Sequence, residues 1–386
     1  MMNNFIFENK TKVYFGKGGV SEYLGSLLEH YGNTVMLAYG GGSIKRNGVY
    51  DEVMGILKAK GKQVIECSGI MPNPTYAKVQ EGAKLAREHQ VDLILAVGGG
   101  SVSDCCKIIS AQAHLDEDIW EMQTVKHTLP TQFIPLGTIV TVFGTGSEMN
   151  NGAVITHEEK KIKGALWGAQ ADFAFLDPSY SLSVPFPQVI SGAFDTLSHA
   201  METYFGKPDE NNLSDDLGEA VMRSVIRNTR TLLADHDDYN ARSELAWASA
   251  MAENSVLKIG KVTDFQGHMI EHQLGAYTNC NHGAGLAVIH PVLYRHIYQS
   301  GAARFARFAQ NVWGIAPKES QEATALAGVE ALADFIKEIG LPTTFTELGI
   351  PADTDLRAVA DSTVLTAGCC KKLTHDEIYE ILTECK

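Results

Sequence analysis

One carboxylate and four histidines in the second half of the chain have the types and spacing of a metal site. Asp195 and His199 stand four residues apart, as do His268 and His272, and His282 follows shortly after. Residues four apart lie on the same face of a helix. A carboxylate with several imidazoles suits a borderline divalent ion such as Fe²⁺ or Zn²⁺. Either pair alone is also compatible with an ordinary ion pair on a helix face, so the prediction of a metal site depends on the whole set.

Two glycine runs in the first half have the setting of a phosphate-binding turn. Gly98, Gly99 and Gly100 lie between an apolar strand-like run and a helical stretch that begins near Ser101, and the run Gly40 to Ser43 has the same setting earlier. Glycine lets the backbone approach a pyrophosphate, and a helix N-terminus supplies N–H donors. The spacing matches neither the standard dinucleotide fingerprint nor a P-loop. A tight strand-to-helix turn therefore remains the alternative for each run.

The residues around the earlier glycine run favour NADP over NAD as the bound dinucleotide. No acidic residue follows Gly40 closely to bind ribose hydroxyls, whereas Ser43, Lys45 and Arg46 offer groups for an additional phosphate. A third segment, residues 138–148, is rich in glycine and hydroxyl groups and again follows a strand-like run. Its hydroxyls offer bonds to phosphate or ribose oxygens, although they could equally bond to their own backbone.

A metal and a dinucleotide together indicate hydride chemistry. A metal ion that binds the carbonyl oxygen of an aldehyde makes the carbonyl carbon a better hydride acceptor. The nicotinamide supplies the hydride, so the protein needs only to position the reactants and stabilise charge. The remaining proton has three possible routes, which are His272, water and a cofactor hydroxyl.

The elements that would position these residues form two groups. The first half alternates strand-like and helix-like segments, which is typical of an α/β domain with a parallel, Rossmann-like sheet. From Pro185 onward the pattern changes to long helical periods, which predicts an all-α C-terminal domain. We therefore expect a dinucleotide-binding α/β domain over residues 1–184 and a helical metal-binding domain over residues 185–386. Within the first domain, residues 5–15 are predicted as an edge hairpin and residues 133–136 as a strand.

Composition excludes several classes of partner. The net charge of -14 and the pI near 5.4 predict no nucleic-acid or membrane partner and favour a small molecule. No apolar run has the length of a membrane span, and the N-terminus does not have the pattern of a signal peptide, so a cytoplasmic location is expected. The seven cysteines include no CxxC pair, which argues against a disulfide framework or a zinc knuckle.

The motifs resemble those of the iron-containing, group III alcohol dehydrogenases, in particular the branch of butanol dehydrogenases and broad-specificity aldehyde reductases. The similarity spans nearly the whole chain. The motifs that carry it are Gly98-Gly99-Gly100-Ser101 with Asp104, Gly144-Thr145-Gly146-Ser147-Glu148, Leu176-Asp177-Pro178, Asp195 with His199, Gly267-His268 through His272, and His282-Gly283-Ala284-Gly285.

The resemblance implies a set of site residues. The metal, expected to be Fe²⁺ with Zn²⁺ or another divalent ion as alternatives, would be bound by Asp195, His199, His268 and His282. His272 would lie near the nicotinamide and the substrate, and it is predicted to be catalytic together with His268. The implied contacts to NADP, or to NAD, are Gly41, Gly42, Ser43, Gly99, Gly100, Ser101, Asp104, Thr138, Thr141, Asn150 and Lys163.

The resemblance also implies an active site between the two domains and a homodimer formed through the N-terminal strands. One departure from the family pattern is the bulky stretch that ends at Phe143, where many relatives have small residues. Phe143 would either narrow the pocket or pack on the core. The function that follows is hydride transfer between NAD(P)H and a small aldehyde or primary alcohol, such as butanal and butanol.

Other classes of protein fit the sequence less well. A metal hydrolase would use the same ligands to activate water, but it leaves the glycine runs without a role. A non-redox relative on the same architecture, similar to dehydroquinate synthase, would need several basic residues around the metal, and few lie near Asp195, His268 and His282. A binding protein that has lost catalysis would lack a metal ligand, and none is missing.

Overall fold

The computed structural model describes residues 3–368 and 370–386, which form two compact units. One unit is Glu8–Pro185, and the other consists of Phe186–Lys386 with the N-terminal segment that ends at Phe7. The assignment of these units to separate domains that divide at residues 184/185 stays a prediction. None of the described helices is long and apolar enough to cross a membrane.

The unit Glu8–Pro185 alternates strands and helices as the sequence pattern predicts. Its elements, in chain order, are β1 (Lys12–Phe15), α1 (Gly19–Leu27), β2 (Thr34–Tyr39), α2 (Ser43–Arg46), α3 (Val49–Ala59), β3 (Gln63–Cys67), α4 (Tyr76–Glu88), β4 (Leu93–Gly98), α5 (Gly100–Gln112), α6 (Ile119–Thr124), β5 (Leu136–Val140), β6 (Gly152–His157), β7 (Ile162–Trp167) and β8 (Phe173–Leu176).

Six strands form one parallel sheet in the order β1-β8-β5-β4-β2-β3. Alternate side chains of each inner strand enter different cores. Val35 and Leu37 of β2 pack with α1 and α3 on one face, whereas Met36 and Ala38 pack with α4 and α5 on the other. Burial on both faces explains why these strands are apolar without alternation. The α/β, Rossmann-like fold predicted for this region is thus confirmed.

The strand order reverses between β2 and β4. From β2 the chain passes to β3 on one side, and it then returns to place β4 on the other side of β2. Tyr39 and Val97 are paired in register, so the loops that follow β2 and β4 leave the sheet next to each other. In open α/β sheets, ligands bind at such a reversal, outside the carboxyl ends of the strands.

Two local predictions in this unit are wrong. Residues 5–15 do not form a hairpin, because β1 pairs in parallel with β8, and side chains of Asn9 and Thr11 bond to the carbonyls of Met149 and Ala171 instead of to a neighbouring strand. The strand predicted over residues 133–136 begins only at Leu136. Pro135 has no N–H to give to a sheet, which shifts the strand toward the C-terminus.

The helical unit contains α7 (Phe186–Tyr204), α8 (Leu213–Ala234), α9 (Tyr239–Glu253), α10 (Gln266–Thr278), α11 (His282–Ile297), α12 (Ala302–Asn311), α13 (Gln321–Glu338), α14 (Phe345–Leu348), α15 (Leu356–Ser362) and α16 (His375–Glu384). A single large apolar cluster joins these helices. From Ile190 to Tyr204 every residue of α7 is buried, so this helix runs through the core. Polar side chains in that stretch must find partners inside the protein.

Candidate active site

Three helices of the helical unit carry the predicted metal ligands. Asp195 and His199 lie on α7, His268 lies in the first turn of α10, and His282 is the first residue of α11. The start of α11 is fixed by Asn281, whose side chain accepts a hydrogen bond from the Ala284 N–H at 3.0 Å. These helices converge on one point in the core.

The structure brings the four predicted ligands together around Asp195. The Asp195 Oδ1 atom lies 3.4 Å from His282 Nε2, 3.7 Å from His268 Nε2 and 3.6 Å from His199 Nδ1. The ligand atoms of Asp195, His268 and His282 all lie within 4.8 Å of one another. His199 joins them through Asp195 and through its ring, whose centroid lies 4.4 Å from that of His268. One small ion would contact Asp195, His268 and His282, and His199 lies beside this group next to Asp195.

Three of the predicted ligands have a buried polar atom without a hydrogen-bond partner. In the part of the chain that the structure describes, Asp195 Oδ1, His199 Nδ1 and His268 Nε2 are buried and have no hydrogen-bond partner. Buried polar atoms are normally bonded, and an unsatisfied group is costly. A divalent cation would satisfy these atoms at once. The donor set, one carboxylate oxygen with imidazole nitrogens, therefore fits Fe²⁺ or Zn²⁺.

Two buried glutamates contact the predicted ligand histidines. Glu202, on α7, contacts His268 Nδ1 and accepts hydrogen bonds from the backbone N–H groups of Gly267 and His268. Glu271, on α10, contacts His282 Nδ1. A carboxylate at Nδ1 fixes the ring orientation and leaves Nε2 free to bind a metal. Both Nε2 atoms point toward Asp195, as the distances above require.

Electrostatics in the cluster favour an ionised carboxylate. Burial opposes ionisation of Asp195, but His199, His282 and His268 outweigh it and lower the pKa of Asp195 to about 2. Burial also disfavours a charged His268 ring, but the Glu202 and Asp195 carboxylates outweigh it and raise the pKa of His268 to about 10. The site thus attracts positive charge, either a proton or a cation.

His272 lies at the margin of this cluster. Its ring centroid is 5.9 Å from that of His268 and 5.5 Å from that of His282. Like His199, it lies outside the set of mutually close atoms formed by Asp195, His268 and His282. That His272 acts beside the metal and not on it therefore stays a prediction.

The predicted dinucleotide residues gather at the reversal in strand order. Gly41 and Gly42 follow β2, and Gly99 and Gly100 join β4 to α5. Gly42 has a φ of 95°, which favours glycine. A Cβ on Gly100 would lie 2.3 Å from Thr145 Oγ1, so the turn has no room for a side chain. The first turn of α5, including Ser101, presents its N–H groups at this edge, as a bound pyrophosphate would need.

Asp104 and Asn150, both predicted as cofactor contacts, bind other parts of the protein. Asp104 accepts hydrogen bonds from Ser147 Oγ at 2.5 Å and from the Val154 N–H at 2.8 Å. Asn150 Oδ1 accepts a hydrogen bond from Lys107 Nζ at 3.0 Å, and Lys107 also donates to the Gly152 carbonyl. Side chains of α5 therefore hold the loop between β5 and β6 in place.

The other residues predicted to contact the cofactor lie in different parts of the same unit, some buried and one exposed. Thr138 lies within β5, buried between its register partners Ala96 and Ala174. Thr141 lies just beyond the carboxyl end of β5, where its N–H donates to the Gly98 carbonyl. Lys163 is buried in the β6–β7 hairpin, a separate antiparallel pair. Ser43 is exposed at the start of α2.

Comparison with known proteins identifies the family. A family model described as iron-containing alcohol dehydrogenase matches residues 10–178, and the C-terminal model of the same family matches residues 189–385. The chain is 37% identical over 390 residues to a probable NADH-dependent butanol dehydrogenase 2 of Bacillus subtilis, covering 99% of both. This protein belongs to the iron-containing alcohol dehydrogenases.

Two further relatives specify the branch of this iron-containing alcohol dehydrogenase. The NADPH-dependent aldehyde reductase YqhD of Escherichia coli is 35% identical over 353 residues and 90% of each chain. The crystal structure of an NADH-dependent butanol dehydrogenase A from Thermotoga maritima superimposes with a TM-score of 0.93 at 34% identity, covering 100% of this chain and 99% of that one. The predicted family and branch are confirmed, and relatives that use either dinucleotide occur among them.

Several residues of this iron-containing alcohol dehydrogenase that contact the predicted site residues are not predicted from the sequence. Glu202, Glu271 and Lys107 contact site residues but do not occur in any pattern that singles them out. A helical signal did exist, because Glu202 is three residues after His199, Glu271 is three after His268, and Lys107 is three after Asp104. Many residues lie three positions from a predicted site residue, however, and only the fold shows which of them contact the site.

The crowding at Gly100 gives a first prediction. Gly100→Ala places a methyl group against Thr145, which must move, and overpacking of this kind costs about 1–3 kcal/mol. We expect the affinity for NADH and NADPH to fall by roughly 10- to 100-fold, measured by cofactor fluorescence titration. Gly55→Ala in α3 is the matched control, because its new methyl meets no atom within 4 Å. Unchanged affinity in Gly100→Ala would show that this turn does not contact the dinucleotide.

Proposed function

We propose that this protein is a metal-dependent aldehyde reductase and alcohol dehydrogenase that transfers a hydride between NAD(P)H and a small aldehyde such as butanal. The observation that carries the proposal is the convergence of Asp195, His199, His268 and His282, with buried ligand atoms that lack hydrogen-bond partners. The names of the relatives, butanol dehydrogenases and an aldehyde reductase, support the reaction class.

In the proposed reaction Asp195 and the three histidines would hold one divalent ion, which we propose to be Fe²⁺. When bound, that ion polarises the aldehyde carbonyl and stabilises negative charge on its oxygen. Glu202 and Glu271 keep His268 and His282 in the orientation that binding requires. The turns at Gly41, Gly42, Gly99 and Gly100 bind the dinucleotide pyrophosphate.

His272 is the proposed residue for proton handling. It lies beside two ligand rings and is buried. In that place it can hold a proton for the product oxygen or position a water molecule or a cofactor hydroxyl that delivers one. The mechanism needs no protein nucleophile, since the nicotinamide supplies the hydride.

The test is a metal-controlled assay. NADPH and, separately, NADH are followed by absorbance while butanal is added to the purified protein, to the chelated protein, and to chelated protein resupplied with Fe²⁺ or Zn²⁺. We expect oxidation that disappears with the metal and returns with it. No oxidation of either cofactor, with any metal and across several aldehyde lengths, would favour a non-redox relative on the same fold.

The choice between the two dinucleotides depends on the charge beside Ser43. Lys45 Nζ lies 3.6 Å from the Glu66 carboxylate and over the rings of Tyr39 and Tyr50. Both tyrosines donate hydrogen bonds to Glu66, and the Tyr39 bond lowers the pKa of Glu66. The carboxylate therefore offsets the charge that Lys45 would offer to an additional phosphate. We propose that NADP is preferred through Ser43, Lys45 and Arg46, and that Glu66 keeps NAD usable.

Glu66→Gln tests this balance of charge. Removing the carboxylate frees Lys45 to pair with the additional phosphate of NADPH. We expect the ratio of the dissociation constants, NADH over NADPH, to rise by roughly two- to fivefold, since the pair is exposed and screened. Glu88→Gln serves as the control, because it removes the carboxylate of another exposed ion pair in the same unit, that of Glu88 with Lys84. An equal effect on both cofactors would remove Glu66 from cofactor choice.

We further propose a cytoplasmic homodimer. Three consecutive apolar side chains, Phe5, Ile6 and Phe7, are exposed, and Ile6 is 99% exposed. β1 lies at an edge of the sheet. Exposed apolar runs and open sheet edges are normally covered in the working protein. Sedimentation equilibrium tests the state, and a monomer at micromolar concentration would contradict the proposal.

A further inference from the structure

Phe265 has a backbone conformation that aromatic residues rarely adopt. It precedes α10 with φ 56° and ψ 21°, in the left-handed region. A bulky side chain at such a position is a true outlier. Strain of this kind persists only where the surroundings determine it, and it concentrates at functional sites.

The neighbours of Phe265 hold the strained conformation from both sides. The Asp264 N–H donates to the Glu202 carbonyl at 3.0 Å. The Gln266 side chain donates to the Lys371 carbonyl and accepts from the Leu373 N–H. Asp264 and Gln266 are both buried. The chain therefore passes through Phe265 with little freedom, and glycine would adopt this conformation without strain.

The ring of Phe265 lies beside the ligand histidines. Its centroid is 5.0 Å from that of His268 and 6.1 Å from that of His199. Lys258 Nζ lies 5.0 Å from the same ring and pairs with Glu253 at 2.7 Å. Phe265 is only partly buried, unlike the phenylalanines of the core. The strained backbone thus places a partly exposed aromatic ring next to the ligand histidines, where a bound substrate would lie.

We propose that Phe265 forms an apolar wall for the chain of the carbonyl substrate and so sets the preferred chain length. The inference rests on the proposed function. A ring next to two metal ligands limits the space available to a group attached to the reacting carbonyl. A short unbranched alkyl chain packs against such a ring, whereas a long or branched chain would have to displace it.

Three variants test this role. Phe265→Gly removes both the ring and the strain, and Phe265→Leu removes the ring but keeps a Cβ. Asn279→Gly is the matched control, because Asn279 has a similar left-handed conformation, φ 54°, at the other end of α10. The readouts are the melting temperature, kcat/KM for butanal and octanal, and calorimetric binding of butyramide and octanamide as unreactive carbonyl analogues.

Asn279→Gly should melt at the same temperature as the parent or higher, since it relieves strain. Phe265→Gly should melt close to the parent, because the relief of strain offsets the loss of the ring's contacts with His268 and His199. In Phe265→Gly we expect the octanal-to-butanal ratio of kcat/KM to rise roughly tenfold, about the discrimination that an apolar pocket provides. Phe265→Leu should move the ratio the same way by less, and Asn279→Gly should leave it unchanged. The amide affinities should follow the same order.

Ratios and amide affinities that are identical in all the proteins would overturn the inference about Phe265. Failure of the parent protein to oxidise NADH or NADPH with any aldehyde would instead overturn the proposed function. The melting temperatures separate either result from a loss of fold.

Discussion

His268→Ala is expected to lower aldehyde reduction by about 10³-fold or more while leaving dinucleotide binding largely intact. The variant removes one of the nitrogen atoms that face Asp195. A metal ion that polarises a carbonyl contributes several kcal/mol to the transition state, and each 1.4 kcal/mol or so is a factor of ten in rate. Because the turns predicted to bind the dinucleotide lie in the other unit, the affinity for NADH and NADPH should change little.

The measurements for His268→Ala are kcat/KM with butanal, metal content and cofactor affinity. His296→Ala is the control, because His296 lies on α11 in the same unit but only pairs with Glu384 at the surface. Activity close to that of the parent protein would remove the metal cluster from the mechanism. Loss of cofactor binding together with activity would point to a folding defect.

Glu202→Gln is expected to weaken metal binding by roughly 10- to 100-fold, the usual effect of removing a carboxylate that orients a ligand histidine. A glutamine keeps the size of the side chain but not its charge. It can present an N–H₂ group to His268 Nδ1, which would favour a proton on Nε2, the atom that must bind the metal. Glu202 also accepts backbone hydrogen bonds at the start of α10, so stability should fall by about 1–3 kcal/mol.

The decisive measurement for Glu202→Gln is the dissociation constant for Zn²⁺, obtained by competition with a chelator. Saturating metal should restore much of the lost turnover, which a purely structural defect would not allow. Glu271→Gln should act in the same way through His282. Glu330→Gln is the control, since Glu330 pairs with Arg295 at the surface. An unchanged metal affinity in Glu202→Gln, with the fold intact, would refute the positioning role.

Helix faces and strand-to-helix turns could be predicted from the sequence, because residues close together in the chain determine them. The i,i+4 spacing of Asp195 with His199 reports a helix face, and the glycine run before Ser101 reports a strand-to-helix turn, so both were visible in the sequence. The predicted start of β5 is three residues too early, because Pro135 has no N–H to donate to the sheet. The N-terminal hairpin was wrong because alternation alone cannot show that β1 pairs with a strand as distant as β8.

The interactions that could not be predicted join distant parts of the chain. Asp104 was expected at the cofactor, yet both of its oxygens accept hydrogen bonds from the loop after β5 or from β6. Lys107 meets Asn150 in the same way. A sequence shows that a residue can form hydrogen bonds, but the partner depends on how the sheet brings helices and loops together. Asp104 and Asn150, both predicted to contact the cofactor, therefore form hydrogen bonds within the protein.

The link between α7 and α11 has a consequence for the order in which the protein becomes functional. Ser191 donates a hydrogen bond to Asn281 at 2.5 Å across 90 residues of sequence. Contacts of such separation form late, because the intervening chain must be closed into a loop first. The predicted metal ligands of α7 are likewise distant in sequence from those of α10 and α11, so tight metal binding requires that the chain between them, which contains α8 and α9, has been closed into a loop. Retention of metal would then report completed tertiary structure, and the ion would be released when this region opens.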